Sequence, residues 1–277
     1  MKTITIKNSI PYSDILSLRQ KVFLPNDTDL ELVKIKEDPS AHHFGIYDDD
    51  NDLIACITLI IDEINIRFSY FSVRKDKQKL GYGTYIMNWL INDYSKSNNS
   101  KRIWCNSRTT SNQYYKRFGF RDTGKSFIRQ SDSVEFIVME KILYSPPTIP
   151  YDQVLLMRQK VMYPNKDLDF VKLQEDHLGK HFGIYHNQEL VSVMSIFIND
   201  KELQFRKLAT KLEYQSKGFA SILMVWLIEY SKEKNINRIW CNSRKSASQF
   251  YKKFGYVETN QTYTKNDIEF IIMEKLL

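Results

Sequence analysis

An internal duplication constrains this chain more than any other feature of its sequence. Residues 102–108 read Arg-Ile-Trp-Cys-Asn-Ser-Arg, and residues 238–244 repeat the same letters without a change. The segment His-Phe-Gly-Ile-Tyr likewise occupies residues 43–47 and residues 181–185. The spacing of about 137 residues is far longer than a solenoid repeat of about 20–50 residues, and it matches the size of a whole domain. The sequence therefore predicts a duplicated domain, and any functional site should occur twice.

The predicted domains comprise residues 1–144 and residues 145–277, joined at Ser145-Pro146-Pro147-Thr148, where the composition changes. Proline fixes φ and favours an extended path, so this linker should be short and stiff. By the repeat register, the first strand of copy one (residues 2–6) corresponds to residues 141–145, which already belong to the last strand of copy one. We therefore expect copy two to lack this strand or to share it, and the two domains to pack as a pseudo-dimer.

Composition and charge narrow the class of protein. Hydrophobic residues make up 42% and charged residues 26%, as in ordinary soluble globular proteins. The longest apolar run, residues 53–61, is too short to span a bilayer, and the N-terminus lacks the apolar block of a signal peptide. The net charge of +7 suits an anionic small ligand, without the concentrated basic face expected for nucleic-acid binding. We expect neither a membrane nor a nucleic acid as a partner.

The cysteines favour a reduced environment. Cys56, Cys105 and Cys241 are odd in number and show no metal-binding spacing. An odd count argues against a disulfide framework, so a cytoplasmic location without a bound metal is predicted.

The predicted elements follow the same order in both copies. Periodicity and turn residues predict helices and strands in copy one: helices at residues 13–22, 81–94 and 109–118, and strands at residues 44–47, 53–61, 64–73, 101–106 and 134–143. Copy two repeats this order from Tyr151 to Leu277. Such an order predicts an α+β fold with a mixed sheet in each domain.

A glycine-containing loop precedes one helix in each copy. Residues 78–83 fit Q-x-x-G-x-G, and residues 215–220 fit Q-x-x-G-x-A. Glycine permits unusual dihedral angles and brings backbone N–H groups close to a ligand. A helix N-terminus also favours a phosphate group. A plain turn before a helix is the alternative for one such loop, but the duplication favours a phosphate-binding site.

An asparagine and a tyrosine are duplicated at the same spacing. Asn106 and Asn242 each lie in the repeated Trp-Cys-Asn-Ser-Arg segment, and Tyr115 and Tyr251 each follow nine residues later. Each tyrosine begins a Tyr-Lys-x-Phe-Gly-aromatic segment. The spacing predicts that the tyrosine lies in the helix that follows the asparagine strand.

This combination of motifs resembles the GNAT superfamily of acetyl-CoA-dependent N-acyltransferases, over nearly the whole of both halves. The resemblance implies a mixed sheet splayed open between its fourth and fifth strands, with acetyl-CoA as cosubstrate in the V. It implies that backbone groups of both loops hold the pyrophosphate, and that strand ends and asparagines hold the pantetheine arm. The implied cofactor-binding residues are Val73, Gln78, Lys79, Leu80, Gly81, Tyr82, Gly83, Thr84 and Asn106, and in copy two Thr210, Gln215, Ser216, Lys217, Gly218, Phe219, Ala220, Ser221 and Asn242.

The resemblance also implies that Tyr115 and Tyr251 are the catalytic residues. A tyrosine with a reference pKa of about 10 is protonated at neutral pH and can give its proton to a departing thiolate. A packing role for both tyrosines is the alternative. Cys105 and Cys241 suggest an acyl-cysteine route, but the resemblance implies direct transfer in a ternary complex.

The identity of the general base stays open. The duplicated ionisable pairs are His43/His181, Glu37/Glu175 and Glu135/Glu269, and a water relay is a further alternative. Arg19 and Arg158 lie on the first helix of each copy. We expect them to make structural contacts or to bind a substrate carboxylate rather than to take part in catalysis.

The sequence thus predicts a tandem N-acetyltransferase that moves an acetyl group to an amine of a small molecule or peptide. A non-catalytic acyl-CoA-binding or scaffold protein is one alternative. A protein in which only one domain is active is the other.

Overall fold

The computed structural model describes residues 4–8, 10–130, 132–265 and 267–277. The chain divides into two compact units, Met1–Leu143 and Tyr144–Leu277. Each unit contains one mixed sheet flanked by helices, which confirms the predicted tandem α+β fold. The predicted pseudo-dimer packing of the two units stays a prediction.

Unit one forms a seven-stranded sheet from its described residues, in the order β1-β2-β3-β4-β5-β7-β6. The strands are β1 (Lys7–Asn8), β2 (His42–Tyr47), β3 (Leu53–Ile61), β4 (Asn65–Val73), β5 (Arg102–Arg108), β6 (Arg121–Ile128) and β7 (Glu135–Ile142). The helices are α1 (Tyr12–Phe23), α2 (Tyr82–Trp89), α3 (Ser95–Ser97) and α4 (Asn112–Lys116), with a π-helical turn at Leu90–Tyr94 between α2 and α3.

Unit two repeats this arrangement with a six-stranded sheet in its described residues, in the order β8-β9-β10-β11-β13-β12. The strands are β8 (Lys180–His186), β9 (Glu189–Asn199), β10 (Glu202–Thr210), β11 (Arg238–Arg244), β12 (Val257–Lys265) and β13 (Ile268–Leu276). The helices are α5 (Tyr151–Met162), α6 (Phe219–Glu233) and α7 (Ser248–Lys252). Within the described ranges, every helix is too short or too polar to traverse a lipid bilayer.

The core of each unit lies where apolar periodicity places it. In unit one, α2 buries Ile86 and Met87 against the inward faces of the central strands, which supply Ile57, Leu59 and Ile66. In the second unit, helix α6 buries side chains around much of its circumference. A β-strand alternates its side chains between two faces, so the other face of the sheet is left for α1 or α5.

The two central strands separate as expected. Strands β4 and β5 pair in parallel over three residues, from Asn65–Arg102 to Arg67–Trp104. Strands β10 and β11 pair over the equivalent residues, ending at Gln204–Trp240. Beyond these points the register of the described residues contains no further pair between the two strands. Each sheet therefore opens into the V that the resemblance implied, and the free edges of both strands face the gap.

The first strand of each copy differs from the prediction. Residues 4–6, the described part of the predicted strand at residues 2–6, are not in a strand, whereas residues 2 and 3 lie outside the described residues. The observed strand is Lys7–Asn8, and its residue Asn8 pairs with Phe44.

The equivalent edge of unit two is paired by the linker itself. Thr148 forms a bridge with Phe182, and the Gly183 amide donates to the Pro147 carbonyl at 3.2 Å. Strand β7, the candidate for a shared strand, belongs to the sheet of unit one. Edge positions tolerate proline because its missing N–H would face away from the sheet. The described residues of unit two therefore lack a strand equivalent to β1, which is the first of the two predicted alternatives, and the proline-containing linker borders this edge of the sheet.

Candidate active site

The loops before α2 and α6 have the same unusual backbone. Lys79 and Gly81 have φ of 62° and 93°, and Ser216 and Gly218 have φ of 61° and 94°. Positive φ at alternate residues turns successive N–H groups toward one side and creates a concave anion-binding surface. Among the described residues, no side chain caps the N-terminus of either helix. The first amides of each helix are therefore available to an anionic group such as a pyrophosphate.

A glutamine ties each loop to the end of the preceding strand. The Gln78 side-chain amide donates to the Val73 carbonyl at 3.1 Å, and Gln215 donates to Thr210 at the same distance. A carbonyl oxygen has a second lone pair, so Val73 and Thr210 retain an acceptor. The two loops thus share their geometry because the same glutamine hydrogen bond holds each of them, which the motif alone did not reveal.

The other predicted loop residues differ in what they can offer a ligand. Lys79, Leu80 and Thr84 are exposed, while Tyr82 and Gly83 are partly buried. In unit two, Ser216 and Lys217 are exposed, Ala220 and Ser221 are partly buried, and Phe219 is almost fully buried. Phe219 can therefore contribute only its backbone, because its ring belongs to the core.

The predicted asparagines lie across the gap from the strand ends. Asn106 is exposed on β5 beyond Trp104, the last residue that pairs with β4, and Asn242 is exposed at the same place on β11. Val73 and Thr210 end the opposite strands. The fold thus brings strand end, loop and asparagine to the two sides of one opening in each unit.

The predicted catalytic tyrosines lie against the strand at the start of the opening. Tyr115 on α4 contacts the Phe68 ring with centroids 5.4 Å apart, and Tyr251 on α7 contacts Phe205 at 5.6 Å. Burial raises the pKa of Tyr115 well above 10, and the neighbouring Cys105 adds to this rise. Burial raises the pKa of Tyr251 in the same direction. Both hydroxyls are therefore protonated at neutral pH, as a proton donor must be.

Comparison with known proteins decides the family. The acetyltransferase (GNAT) domain family matches residues 19–143 and residues 166–277, which together make up most of the chain. The chain belongs to the GNAT acetyltransferase family. This confirms the family, the enzyme class and the tandem organisation predicted from the motifs.

The similar proteins each correspond to about half of the chain. An uncharacterized N-acetyltransferase of Bacillus subtilis, YitI, is 24% identical over 140 residues, covering 47% of this chain and 94% of its own length. A Bacillus subtilis acetyltransferase solved in complex with CoA shares 17% identity with a TM-score of 0.39, over 48% of this chain and 97% of its own. The Escherichia coli ribosomal-protein-S18-alanine N-acetyltransferase shares 15% identity with a TM-score of 0.40, over 47% of this chain and 91% of its own.

Each GNAT domain also contains a buried ion pair beneath the first helix. Arg19 donates to both Asp38 carboxylate oxygens at 2.8 Å, and Arg158 donates to those of Asp176 at 2.6 and 2.7 Å. The side chains of both arginines are fully buried. A guanidinium enclosed in this way cannot meet a substrate carboxylate, so the structural interpretation of Arg19 and Arg158 fits the geometry.

The two histidines join this cluster. His43 Nδ1 lies 3.1 Å from the Thr58 hydroxyl, and His181 Nδ1 lies 2.8 Å from the Ser195 hydroxyl. Burial lowers the pKa of both histidines, and the nearby arginine charge lowers it further. Both imidazoles are therefore weak bases that hold the cluster together, which makes them poor candidates for the general base.

The glutamate candidates are mostly engaged in ion pairs. Glu37 pairs with Arg67 at 3.1 Å, Glu175 with Arg206 at 3.1 Å, and Glu269 with Lys245 at 2.7 Å. Glu135 is exposed on β7. None of these contacts singles out one carboxylate as the base.

The cysteines do not have the environment of a nucleophile. Cys105 and Cys241 are buried, and burial raises the pKa of both thiols far above the usual value. A thiolate is the nucleophilic form, so these side chains are inert packing groups. No group of three potential metal ligands occurs among the residues that the structure describes.

Sequence reasoning missed a bulge in the strand that borders each opening. The pairing of β4 with β3 shifts register around Tyr70, which has φ of 42°, and β10 shifts around Lys207, with φ of 55°. A bulge leaves an extra residue unpaired and redirects backbone and side chains. Tyr70 lies under the Arg19 guanidinium at 4.4 Å, whereas Lys207 donates to the Tyr163 hydroxyl at 3.1 Å. The two domains therefore differ beside the opening.

Proposed function

We propose that the protein is an N-acetyltransferase that moves an acetyl group from acetyl-CoA to an amine of a small molecule or peptide. Transfer is direct, within a ternary complex. The observation that carries this proposal is a coincidence repeated in both domains. A loop with an anion-binding backbone precedes the helix, the edge of the same strand is free, and a buried protonated tyrosine packs on that strand.

The backbone around Gly81 and Gly218 binds the pyrophosphate of the cosubstrate. The uncapped helix amides supply hydrogen bonds, and the helix dipole adds about 0.3–1 kcal/mol for a negative charge. Val73 and Thr210 bind the pantetheine arm through their main chain, as a missing strand would. Asn106 and Asn242 contact the arm from the facing strand.

Tyr115 and Tyr251 act as general acids. The free amine attacks the thioester carbonyl, and collapse of the tetrahedral adduct breaks the carbon–sulfur bond. The tyrosine hydroxyl gives its proton to the departing thiolate, and the proton lost by the amine leaves through a base or water. A general acid contributes typically 10²–10⁴-fold to the rate.

Positioning supplies the larger share of the acceleration. Holding two reactants in the right orientation can recover about 7–11 kcal/mol of the barrier. The strand edge and the loop serve this purpose, because the strand is paired with its neighbour and the glutamine side chain ties the loop to the strand end. The high pKa of Cys105 and Cys241 supports direct transfer over an acyl-cysteine route.

The test is release of free CoA thiol from acetyl-CoA in the presence of polyamines, amino acids, aminoglycosides and peptides. We expect amine-dependent thiol release together with an acetylated product detected by mass spectrometry. Binding of CoA without acetylation of any amine would instead favour the non-catalytic acyl-CoA-binding alternative.

A further inference from the structure

A cavity of about 410 Å³ opens on the sheet of unit two. Phe197, Ile198 and Leu178 form apolar walls together with Trp240. Ligand pockets for small molecules are typically of about 300–1,000 Å³ and largely apolar with a few polar groups. The cavity is therefore large enough to hold a small organic molecule with an aromatic or branched apolar part.

One polar side chain in this cavity is buried and incompletely bonded. Gln204 lines the cavity and is only 7% exposed. Its Oε1 accepts from Arg206 Nε at 2.8 Å, which fixes the orientation of the amide group. Its Nε2 has no hydrogen-bond partner in the described part of the chain. A buried donor without a partner costs about 1–3 kcal/mol, so a carbonyl oxygen reaching Nε2 would be stabilised there.

Two carboxylates also line the cavity. Glu175 pairs with Arg206 at 3.1 Å, and Glu202 lies 3.2 Å from Arg238. Both glutamate side chains remain about half exposed, at 49% and 51%. Arg206 itself lines the cavity, so each carboxylate is balanced by an arginine and the charges of the lining do not by themselves select the amine.

The position of the cavity relates it to the opening. Gln204 and Trp240 are the last residues that pair β10 with β11. They therefore lie at the closed end of the V, and the pyrophosphate loop follows Thr210 at its open end. Thr210 lies six residues after Gln204 along β10, a span of at most about 20 Å at about 3.3 Å per residue. An extended arm that starts at the loop and follows β10 points its reactive end toward the cavity.

We propose that this cavity is the acceptor site of unit two, and that it takes a primary amine that carries an apolar side group and a neighbouring carbonyl oxygen. Apolar amino acids, their amides and peptide N-termini share this chemistry. The inference rests on the proposed acetyl transfer and adds the class of acceptor. The apolar group packs on Phe197 and Trp240, the carbonyl accepts from Gln204, and the amine faces the opening.

Unit one has a different surface at the equivalent place. Arg102 lies over the Trp104 ring at 5.4 Å, as its counterpart Arg238 lies over Trp240 at 5.6 Å. Arg67, at the position of Gln204, adds a further guanidinium over Trp104 at 5.6 Å. Arg67 also pairs with Glu37 at 3.1 Å. The substitution Gln204→Arg therefore introduces into unit two the additional arginine that packs on the tryptophan in unit one, and Arg67→Gln is the matched control.

The experiment measures binding and turnover separately, with phenylalaninamide as the probe. Glycinamide lacks the apolar group and phenethylamine lacks the carbonyl. With CoA present, we expect phenylalaninamide to bind at least about tenfold more tightly than either analogue, because an unpaired site group penalises the incomplete ligand. Gln204→Arg should remove this preference without affecting CoA binding. The control variant Arg67→Gln should retain the preference. Free phenylalanine and a Phe-Gly dipeptide then distinguish a free amino acid from a peptide N-terminus.

The outcomes separate the two proposals. Equal binding of all three amines, or a preference that survives Gln204→Arg in a variant that still binds CoA, overturns the acceptor site. Gln204-dependent binding without any acetylated product leaves the site in place and contradicts the acetyltransferase proposal.

Discussion

The Tyr114 hydroxyl lies 2.9 Å from the point that a Cβ on Gly83 would occupy, at the first turn of α2. In unit two the same two positions carry Ala220 and Phe250, so a methyl group is present where a hydroxyl is missing. The Tyr114 hydroxyl is buried without a hydrogen-bond partner within the described ranges, and burial raises its pKa to about 12. The two copies thus fill the same space in alternative ways.

This relationship predicts that the effect of Gly83→Ala changes sign with residue 114. In the wild-type background the added methyl overpacks against Tyr114 and should destabilise unit one by about 1–3 kcal/mol. In a Tyr114→Phe background the same change should be neutral or stabilising by up to about 1 kcal/mol, since alanine favours a helix over glycine. Urea denaturation of the four proteins in the cycle measures this, and additive effects would contradict the contact.

The catalytic assignment predicts a loss of rate without a loss of cofactor affinity. Tyr115→Phe with Tyr251→Phe should lower turnover by about 10²–10⁴-fold, because only the proton donor is removed. CoA affinity should change little, since the donor acts in the transition state. Each single variant, measured alongside, shows whether one or both domains are active. Wild-type turnover in the double variant would leave both tyrosines as packing residues.

The duplicated loops predict two CoA sites per chain. Gly81 and Gly218 have φ near 94°, which is unfavourable for any side chain. Gly81→Ala should weaken the site of unit one, because a strained backbone residue costs about 1–3 kcal/mol. Calorimetric titration should then show one site of wild-type affinity and one weakened site. Gly124→Ala is the matched control, since Gly124 also has positive φ but lies on β6, away from the loop. A wild-type stoichiometry of one would contradict two intact sites.

The buried ion pairs predict acid sensitivity. Burial opposes ionisation of Asp38 and Asp176, but hydrogen bonds from Arg19 or Arg158, a backbone amide and a tyrosine outweigh it and lower both pKa values. A lowered folded-state pKa stabilises the protein above the unfolded value of about 3.9, and this stabilisation is lost as the pH falls through the folded value. The free energy of unfolding should therefore decrease below about pH 4.

Two variants test this cause. Asp176→Asn should lower the free energy of unfolding at pH 7 by about 3–5 kcal/mol, because it leaves Arg158 buried without its partner charge. It should also flatten the dependence below about pH 4. Glu233→Gln, at the exposed end of α6, should change neither. If the free energy of unfolding of Asp176→Asn depends on pH below about 4 as it does in the wild-type protein, the acid-sensitive groups lie elsewhere.

Strands with clear apolar patterns could be predicted from sequence, and strands without them could not. Residues 53–61 and 64–73 were predicted within a residue of β3 and β4 because their apolar runs are locally visible. Strands β6 and β12 were missed, since most of their side chains are exposed and polar. Their extended conformation comes from pairing with β7 and β13, which a local pattern does not record.

The sequence by itself determined the duplication, the α+β class and the two loops, because repeats, periodicity and glycine positions are properties of neighbouring residues. Only the tertiary structure decided what lies beside each loop. The contact of Gly83 with Tyr114, the bulges at Tyr70 and Lys207 and the cavity at Gln204 join residues far apart in the chain. Such contacts depend on strand register and packing. Two segments with nearly identical local sequences can therefore have different tertiary contacts.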